Sequence, residues 1–235
     1  MSRLLDPRST EQEESHWLSV SDLMAGLMMI FLFIAVALMR DAFIERDKIR
    51  DVAVAYQENQ VAIYDSLISE FQQDLQRWDA SIDQDSLTFT FQSPDVLFAL
   101  GDIEISLRYQ ELLSEFFPRY MQVLNQFSDS INEVRIEGHT SSLWNTNVSE
   151  TEAYFNNMAL SQGRTRSVLA YVHELEEVEQ YREWIKSHFA AVGLSSSRLV
   201  LDEFDREDTQ RSRRVTFRVI TNADIQMKMI LEQGE

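Results

Sequence analysis

Residues Trp17–Met39 read WLSVSDLMAGLMMIFLFIAVALM. From Leu18 to Met39 the stretch holds 22 residues, and Asp22 is the one ionisable side chain among them. A helix rises 1.5 Å per residue, so this length reaches about 30 Å, the thickness of the hydrocarbon core of a bilayer. The sequence therefore predicts a transmembrane helix over residues 17–39.

A carboxylate inside such a helix needs a physical reason. Placing an Asp at the centre of a bilayer costs about 2.5–3.5 kcal/mol on insertion scales. Asp22 shares a helix face with Ala25 and Gly26, at spacings of 3 and 4, so small residues lie beside the acid. Two interpretations stay open. Asp22 takes up and releases an ion, or it is an interfacial acid that caps the helix beside Ser19 and Ser21.

The start of this helix resembles the ion-carrying span of MotB-like stator subunits, a group that includes ExbD, TolR and the ZorB subunits of Zorya anti-phage systems. In that group a Trp, a small polar residue and an Asp open the span, and they correspond here to Trp17, Ser21 and Asp22. The resemblance implies that Asp22 carries the transported ion, a proton or sodium, with Ser21 and Gly26 beside the ion path. It also implies a single pass through the bacterial inner membrane, with the C-terminal domain in the periplasm.

The residues before the span are polar and net acidic, unlike the basic start of a secretory signal peptide. Two basic residues precede the span, whereas four follow it between residues 40 and 50. The positive-inside rule therefore favours the orientation opposite to the one that the resemblance implies. We follow the resemblance and expect residues 1–16 to form a cytoplasmic tail.

Composition excludes several classes of function. The net charge of −18 would repel a nucleic acid. The chain has no cysteine, which excludes disulfides and thiol chemistry. Its four histidines lack the spacing of metal ligands, and the sequence has no P-loop, G-x-G-x-x-G or G-x-S-x-G motif. We therefore expect a protein that is not an enzyme and that needs neither a metal nor an organic cofactor.

Residues 40–84 contain neither Gly nor Pro and have a helical pattern, so we predict a helical linker there. Its apolar residues alternate at spacings of 3 and 4; they are Val61, Tyr64, Ile68, Phe71, Leu75 and Trp78. Two arrangements stay open. The linker lies on the following domain as an amphipathic helix, or it forms a parallel coiled coil that joins two copies in a self-dimer.

Residues 85–222 alternate between strand and helix patterns. Strands are predicted at 87–91, 134–137, 198–201 and 215–219, and helices at 107–127, 156–175 and 180–191, with Pro118 expected to kink or interrupt the first helix. This order predicts a mixed β-sheet with helices on one side. The fold class is therefore α+β, and residues 223–235 are expected to form a C-terminal tail.

Three separated motifs in this domain resemble the OmpA-like peptidoglycan-binding domains. They are Ile136-Glu137-Gly138-His139-Thr140, Asn157-x-x-Leu160-Ser161-x-x-Arg164 and Arg213-Arg214-Val215. The resemblance implies that Arg164 binds the diaminopimelate carboxylate of the peptide stem, a group that suits the planar guanidinium fork. It also implies a site completed by Asn157, Leu160, Tyr154, Thr140 and Ser141.

The chain departs from that family at one position of the predicted site. The family has an Asp after Gly-His-Thr that receives the amino group of the ligand, whereas this chain has Ser141. A carboxylate from the long loop after Ser141, such as Glu150 or Glu152, is a candidate replacement. For Arg164 the alternative is a helix-surface arginine that pairs with a neighbouring acid.

Together the two resemblances imply a cell-wall-anchored stator subunit of a proton-driven motor. They also imply five copies of a ZorA- or MotA-like multi-span subunit around two copies of this chain. The acidic leader, the S-D-L-M-A-G-L-M-M sequence and the G-H-T-S motif favour the ZorB type and anti-phage defence. A flagellar MotB-type subunit and a passive peptidoglycan-anchoring membrane protein are the alternatives.

Overall fold

The computed structural model describes residues 8–92, 97–145 and 147–225, with side chains from Val20 onward. The chain divides into two units, Met1–Asp51 and Val52–Glu235. The side chain of Trp17, the first seven residues of the predicted cytoplasmic tail and the predicted C-terminal tail from residue 226 onward lie outside the described part.

The first unit contains most of a long apolar helix. Helix α1 spans Arg8–Phe71 and continues into the second unit. An 18-residue window of this helix has a mean hydropathy of 2.4, and none of the window is buried within the chain. Among the described residues, α1 is the one helix long and apolar enough to cross a membrane. Such a run of exposed Leu, Met, Ile and Phe suits lipid rather than water. The predicted N-terminal apolar helix is confirmed.

The second unit is built on a five-stranded sheet with the strand order β1-β2-β5-β3-β4. The strands are β1 Ala80–Asp83, β2 Thr88–Phe91, β3 Ile131–His139, β4 Phe189–Gly193 and β5 Arg214–Thr221. Strands β3 and β4 are parallel, and the other neighbours are antiparallel. The helices are α2 Leu107–Asn125, α3 Glu150–Glu174, a 3₁₀ helix Glu176–Tyr181, α4 Arg182–His188 and α5 Thr209–Ser212.

One face of the sheet is apolar and carries the helices. Because side chains alternate along a strand, Phe89, Phe91 and Phe217 share this face and are buried. Phe116 of α2 packs among them, with its ring centroid 5.0 Å from that of Phe91 and 5.2 Å from that of Phe217. Val168 of α3 belongs to the same core. The predicted α+β fold, a mixed sheet with helices on one side, is confirmed.

The linker prediction is correct only up to Phe71. There α1 ends, a turn follows, and β1 pairs with β2 in the sheet, so the helix predicted up to residue 84 is wrong beyond this point. The backbone of Asp79 adopts φ 48°, which no helix allows. Ile63, Leu67 and Phe71 are fully buried in the core of the second unit. The end of α1 is thus an amphipathic helix on its own domain, and the self-dimer stays a prediction.

Two further elements differ from the prediction. The helix predicted at 180–191 ends at His188, and the next residues form β4 alongside β3. The strand predicted at 198–201 is, within the described residues, an isolated bridge between Leu201 and Glu207. A short apolar run such as Phe-Ala-Ala-Val fits a helix end and a buried strand equally well. Helix α2 continues through Pro118 without interruption.

Candidate functional site

Two glycines allow helix α3 to approach the ends of β3 and β4 closely. Gly138 and Gly193 are register partners on these strands. A Cβ atom on Gly138 would lie 2.8 Å from the backbone oxygen of Ser161, and one on Gly193 would collide with the backbone nitrogen of Gln162. Glycine at such positions marks a close approach of two backbones. The backbone of α3 therefore lies close to the sheet, and the polar residues of the helix lie beside the end of β3.

A cleft of about 540 Å³ opens beside this end of α3. Its walls come from helix α3, from the loops before α2 and after β3, and from the two ends of the short helix α5; they are Leu100, Gly101, Thr140, Ser141, Leu143, Trp144, Asn145, Asn157, Leu160, Arg164, Thr209 and Arg213. Five of the six residues predicted for the site are in this set. The sixth, Tyr154, lies in the first turns of α3, where its ring contacts Phe155 at 5.5 Å between centroids.

Arg164 is 8% exposed, so it is a buried cleft residue and not a helix-surface arginine. Its Nε donates to the backbone oxygen of Asp102 at 2.8 Å, and one terminal nitrogen donates to that of Ala99 at 3.1 Å. The guanidinium carbon also lies 4.8 Å from the ring centre of Phe98. These contacts hold a permanent positive charge in a fixed orientation at the wall of the cleft.

Asn157 positions the loop that follows β3. The side chain is buried, and its amide nitrogen donates to the backbone oxygens of Ser141 at 3.1 Å and Leu143 at 3.3 Å. Glu207 holds the same loop from its other side. The backbone nitrogen of Ser142 donates to Glu207 Oε1 at 2.9 Å, and the Ser142 hydroxyl donates to Glu207 Oε2. The segment after Thr140 is therefore fixed from both sides.

Glu207 was not predicted from the sequence. The candidate replacements for the missing Asp, Glu150 and Glu152, lie exposed in the first turn of α3. The acid that contacts the segment after Thr140 comes instead from the loop before α5, 65 residues from Ser142. No sequence signal indicates such a distant pair in a single chain.

The cleft combines an apolar rim with polar groups at its base. Leu100 is 92% exposed and Trp144 is 40% exposed, although both line the cleft. At the base, the buried hydroxyl of Thr140 has no hydrogen-bond partner among the described residues. A concave site with apolar walls and a few placed polar groups is the usual form of a small-ligand site.

In the first unit, Asp22 lies on an exposed part of α1, and Ser21 and Gly26 are exposed on the same helix. A Cβ atom on Gly26 would meet nothing within 4 Å. The packing of this chain therefore does not require a glycine there. A small residue beside an acid does allow the backbone of another helix to approach.

No protein-family model matches the chain. A curated protein of Escherichia coli named Zorya protein ZorB is 52% identical over 223 residues, which cover 95% of this chain and 95% of that protein. The chain belongs to the ZorB family. The sequence resemblance to ZorB, first indicated by the Trp17, Ser21 and Asp22 pattern, is therefore confirmed.

Solved structures with a similar fold were also found for this ZorB-family chain. A MotB-like protein from Desulfovibrio vulgaris has 22% identity and a TM-score of 0.49, covering 73% of this chain and 94% of that one. The cell wall anchor of the T6SS from Pseudomonas aeruginosa has 21% identity and a TM-score of 0.43, and the match covers 66% of this chain and 97% of that one. Family membership rests on the ZorB sequence match and not on these structures.

Proposed function

We propose that this ZorB-family protein is the cell-wall-anchored stator subunit of a proton-driven motor in the bacterial inner membrane. In this proposal the motor acts in anti-phage defence, and Asp22 is the carboxylate that carries the ion. One observation carries the proposal: a single acid lies in the apolar window of α1, and the same chain holds a buried arginine at the wall of a cleft.

Asp22 suits proton transfer because protonation removes the charge that is costly in a membrane. A carboxylate at the centre of a bilayer costs about 2.5–3.5 kcal/mol; Asp22 lies about one turn from the polar end of the span, so its cost is below that figure, and taking up a proton relieves it. One charge that moves through 100 mV supplies about 2.3 kcal/mol, enough to drive a conformational step against a modest load. Sodium would serve the same carboxylate in place of a proton.

One helix does not enclose an ion path, so the motor needs a partner. We propose that five ZorA- or MotA-like multi-span subunits surround two copies of this chain, with the N-terminus in the cytoplasm. The exposed small residue Gly26 supports this arrangement, since it leaves room for a partner helix beside Asp22. Each protonation cycle then changes the charge that faces the partner and lets it move around the anchored dimer.

The cleft supplies the anchor in this proposal. Arg164 donates parallel hydrogen bonds to the carboxylate of a peptidoglycan stem peptide. The exposed rings and side chains at the rim, including Trp144 and Leu143, cover the apolar part of the ligand. A charged group that is largely buried, as Arg164 is, interacts more strongly with an opposite charge than one on an open surface.

The motor is tested by phage plating on cells that carry this gene with its neighbouring membrane-protein gene. Asp22→Asn keeps the size of the side chain but takes up no proton, so resistance should be lost at equal membrane levels. Asp41→Asn is the matched control, because Asp41 lies on the same helix beyond the apolar stretch. If Asp22→Asn cells resist phage as native cells do, Asp22 is structural and the proposed ion transfer is wrong. If native cells show no resistance, swimming becomes the assay for a flagellar role.

The anchor is tested separately, by sedimentation of the full chain in detergent with purified peptidoglycan. Arg164→Lys keeps the charge but cannot make both backbone contacts and a forked contact to a carboxylate, so binding should fall at least about tenfold. Arg166→Lys, an exposed change two residues along α3, should bind as the native chain does. Equal binding by the Arg164 and Arg166 variants would exclude the cleft as the anchor.

A further inference from the structure

The face of the sheet opposite the apolar core carries a row of arginines. Arg214 and Arg218 project from β5 on this face, and Arg198 reaches it from the loop after β4. They line a pocket of about 240 Å³ together with Thr216 and His139. Typical small-molecule sites have about 300–1,000 Å³, so this pocket suits a single small group.

This pocket is distinct from the cleft that holds Arg164. His139 and Thr140 are consecutive, as are Arg213 and Arg214, and side chains alternate between the faces of a sheet. His139 and Arg214 line the pocket, whereas Thr140 and Arg213 line the cleft. The two concavities therefore lie on opposite faces at the same end of β3 and β5.

The positive charges in the pocket are only partly neutralised. Glu137 is buried at its floor, with Oε2 3.4 Å from a terminal nitrogen of Arg198. Burial raises the pKa of Glu137, but contact with His139 and the charge of Arg198 outweigh this effect, so the pKa lies below its usual value and the group is a carboxylate at neutral pH. The other acid at the pocket, Asp83, is exposed and accepts hydrogen bonds from Ser86.

Arg218 faces a like charge on the neighbouring strand, although the negative charge of Glu137 also acts on it. Its register partner on β3 is Arg135, so two like charges lie directly opposite each other, an unfavourable arrangement in a sheet. Arg135 forms an ion pair with Glu133 at 2.9 Å, whereas no acid in the described part of the chain pairs with Arg218. Arg214 donates to the backbone oxygens of Ser212 and Arg198 rather than to an acid.

Several polar atoms of the pocket are buried without a partner. His139 is 4% exposed and Thr216 is 2% exposed, yet neither ring nitrogen nor the hydroxyl has a hydrogen-bond partner among the described residues. The same holds for Nε of Arg218. His139 Nε2 faces Glu137 Oε2 at 3.7 Å, which is too long for a hydrogen bond but close enough for the two groups to interact electrostatically. Buried polar groups are normally satisfied, so the two clear donors among them, the Thr216 hydroxyl and Arg218 Nε, call for a ligand.

We propose that this pocket binds an oxyanion, a phosphate or a carboxylate group, through the guanidinium groups of Arg218 and Arg214 and the hydroxyl of Thr216. Arginine forks and hydroxyl donors are the groups that recognise such oxygens. With three arginines against Glu137 and Asp83, the pocket carries a net charge of +1 in a chain of −18. The site is independent of the cleft and of the motor function proposed above.

The test uses the full chain in detergent at pH 7, titrated by calorimetry with inorganic phosphate and, separately, with acetate. Chloride at equal ionic strength is the reference. Saturable binding of phosphate alone identifies a phosphate source, and saturable binding of acetate alone identifies a carboxylate source. If neither anion binds in a saturable way, the pocket holds only water and the proposal is wrong.

Two variants and one control assign the binding to this pocket. Arg218→Gln should weaken binding at least about tenfold, since a charged hydrogen bond is lost. Thr216→Val removes only the hydroxyl and keeps the shape, so it decides the question if Arg218→Gln does not fold. Arg166→Gln removes one positive charge from the exposed face of α3 and should bind as the native chain does. Equal losses in the Arg218 and Arg166 variants would mean non-specific attraction and overturn the site.

Discussion

Gly138 and Gly193 lie opposite each other on β3 and β4, and neither position has room for a side chain beneath helix α3. The backbone of Ser161 and Gln162 occupies that space. Asn157 and Arg164 lie about one turn before and after these residues on α3. The distance between the helix and the sheet therefore determines the positions of both side chains in the cleft.

The change Gly193→Ala should destabilise the second unit and disturb the cleft. The new Cβ would meet backbone atoms of Gln162, which cannot move aside as a flexible side chain can. Overpacking of this kind costs about 1–3 kcal/mol. Denaturant unfolding of the full chain measures the loss. Gly26→Ala, where a Cβ meets nothing within 4 Å, should leave the unfolding free energy of this unit unchanged. A Gly193→Ala variant as stable as the native chain would contradict the close packing.

Asn157→Asp should release the loop after β3 while leaving the size of the side chain unchanged. The amide donates to two backbone oxygens, and a carboxylate would place negative oxygen against both of them. A buried acceptor left without its donor costs about 1–3 kcal/mol, so both stability and peptidoglycan binding should fall. Unfolding and sedimentation with peptidoglycan measure the two effects.

Asn156→Asp is the control for this prediction, because it makes the same chemical change one residue earlier on α3. Asn156 is only partly buried, unlike Asn157, so a new acid there keeps some contact with water. If the two variants lose stability equally, the charge and not the lost clamp is responsible.

The stability of the second unit should fall as the pH drops below about 6.5, the usual pKa of histidine. Burial lowers the pKa of His139, helped by the charges of Arg214 and Arg198 and opposed by Glu137. In the unfolded chain the ring keeps its ordinary pKa and binds a proton first, so acid favours unfolding. The stability that the neutral His139 ring contributes is fully present above its pKa in the unfolded chain. It is lost as the pH falls through its lower pKa in the folded chain.

Unfolding curves from pH 8 to pH 5 check this slope. His139→Gln should flatten the curve below about pH 6.5, because the titrating ring is gone. His188→Gln is the comparison, since that ring is on α4 and not on the polar sheet face. A slope that persists in the His139 variant would assign the acid sensitivity to other groups.

Long or repeated patterns in the sequence predicted much of this fold. The apolar run of α1 appears as predicted, and the strands predicted at 87–91, 134–137 and 215–219 appear as β2, β3 and β5 with ends that differ by up to three residues. Five of the six site residues also line one cleft, because they belong to motifs at the ends of regular elements.

Short elements and distant contacts could not be predicted in this way. Strand β4 has an apolar run too brief to distinguish from a helix end, and its place is fixed by its pairing with β3. The contact between Glu207 and Ser142 joins two loops that are far apart in sequence. Arg135 and Arg218 become neighbours only through the register of β3 and β5. The sequence alone does not contain that register, so it does not predict the polar pocket.

At the end of α1, the predicted apolar seam (the residues at spacings of 3 and 4 from Val61 to Trp78) differs from the set of residues that are buried. Leu67 is fully buried in the second unit although it was outside the predicted seam, whereas Val61, inside that seam, is exposed. Leu67→Ala should therefore cost about 2–5 kcal/mol of unfolding free energy, and Val61→Ala much less. The loss at Leu67 should be the same at every protein concentration, because its contacts are within one chain. A loss that appears for Val61→Ala and shrinks as the protein is concentrated would instead indicate a coiled coil between two copies.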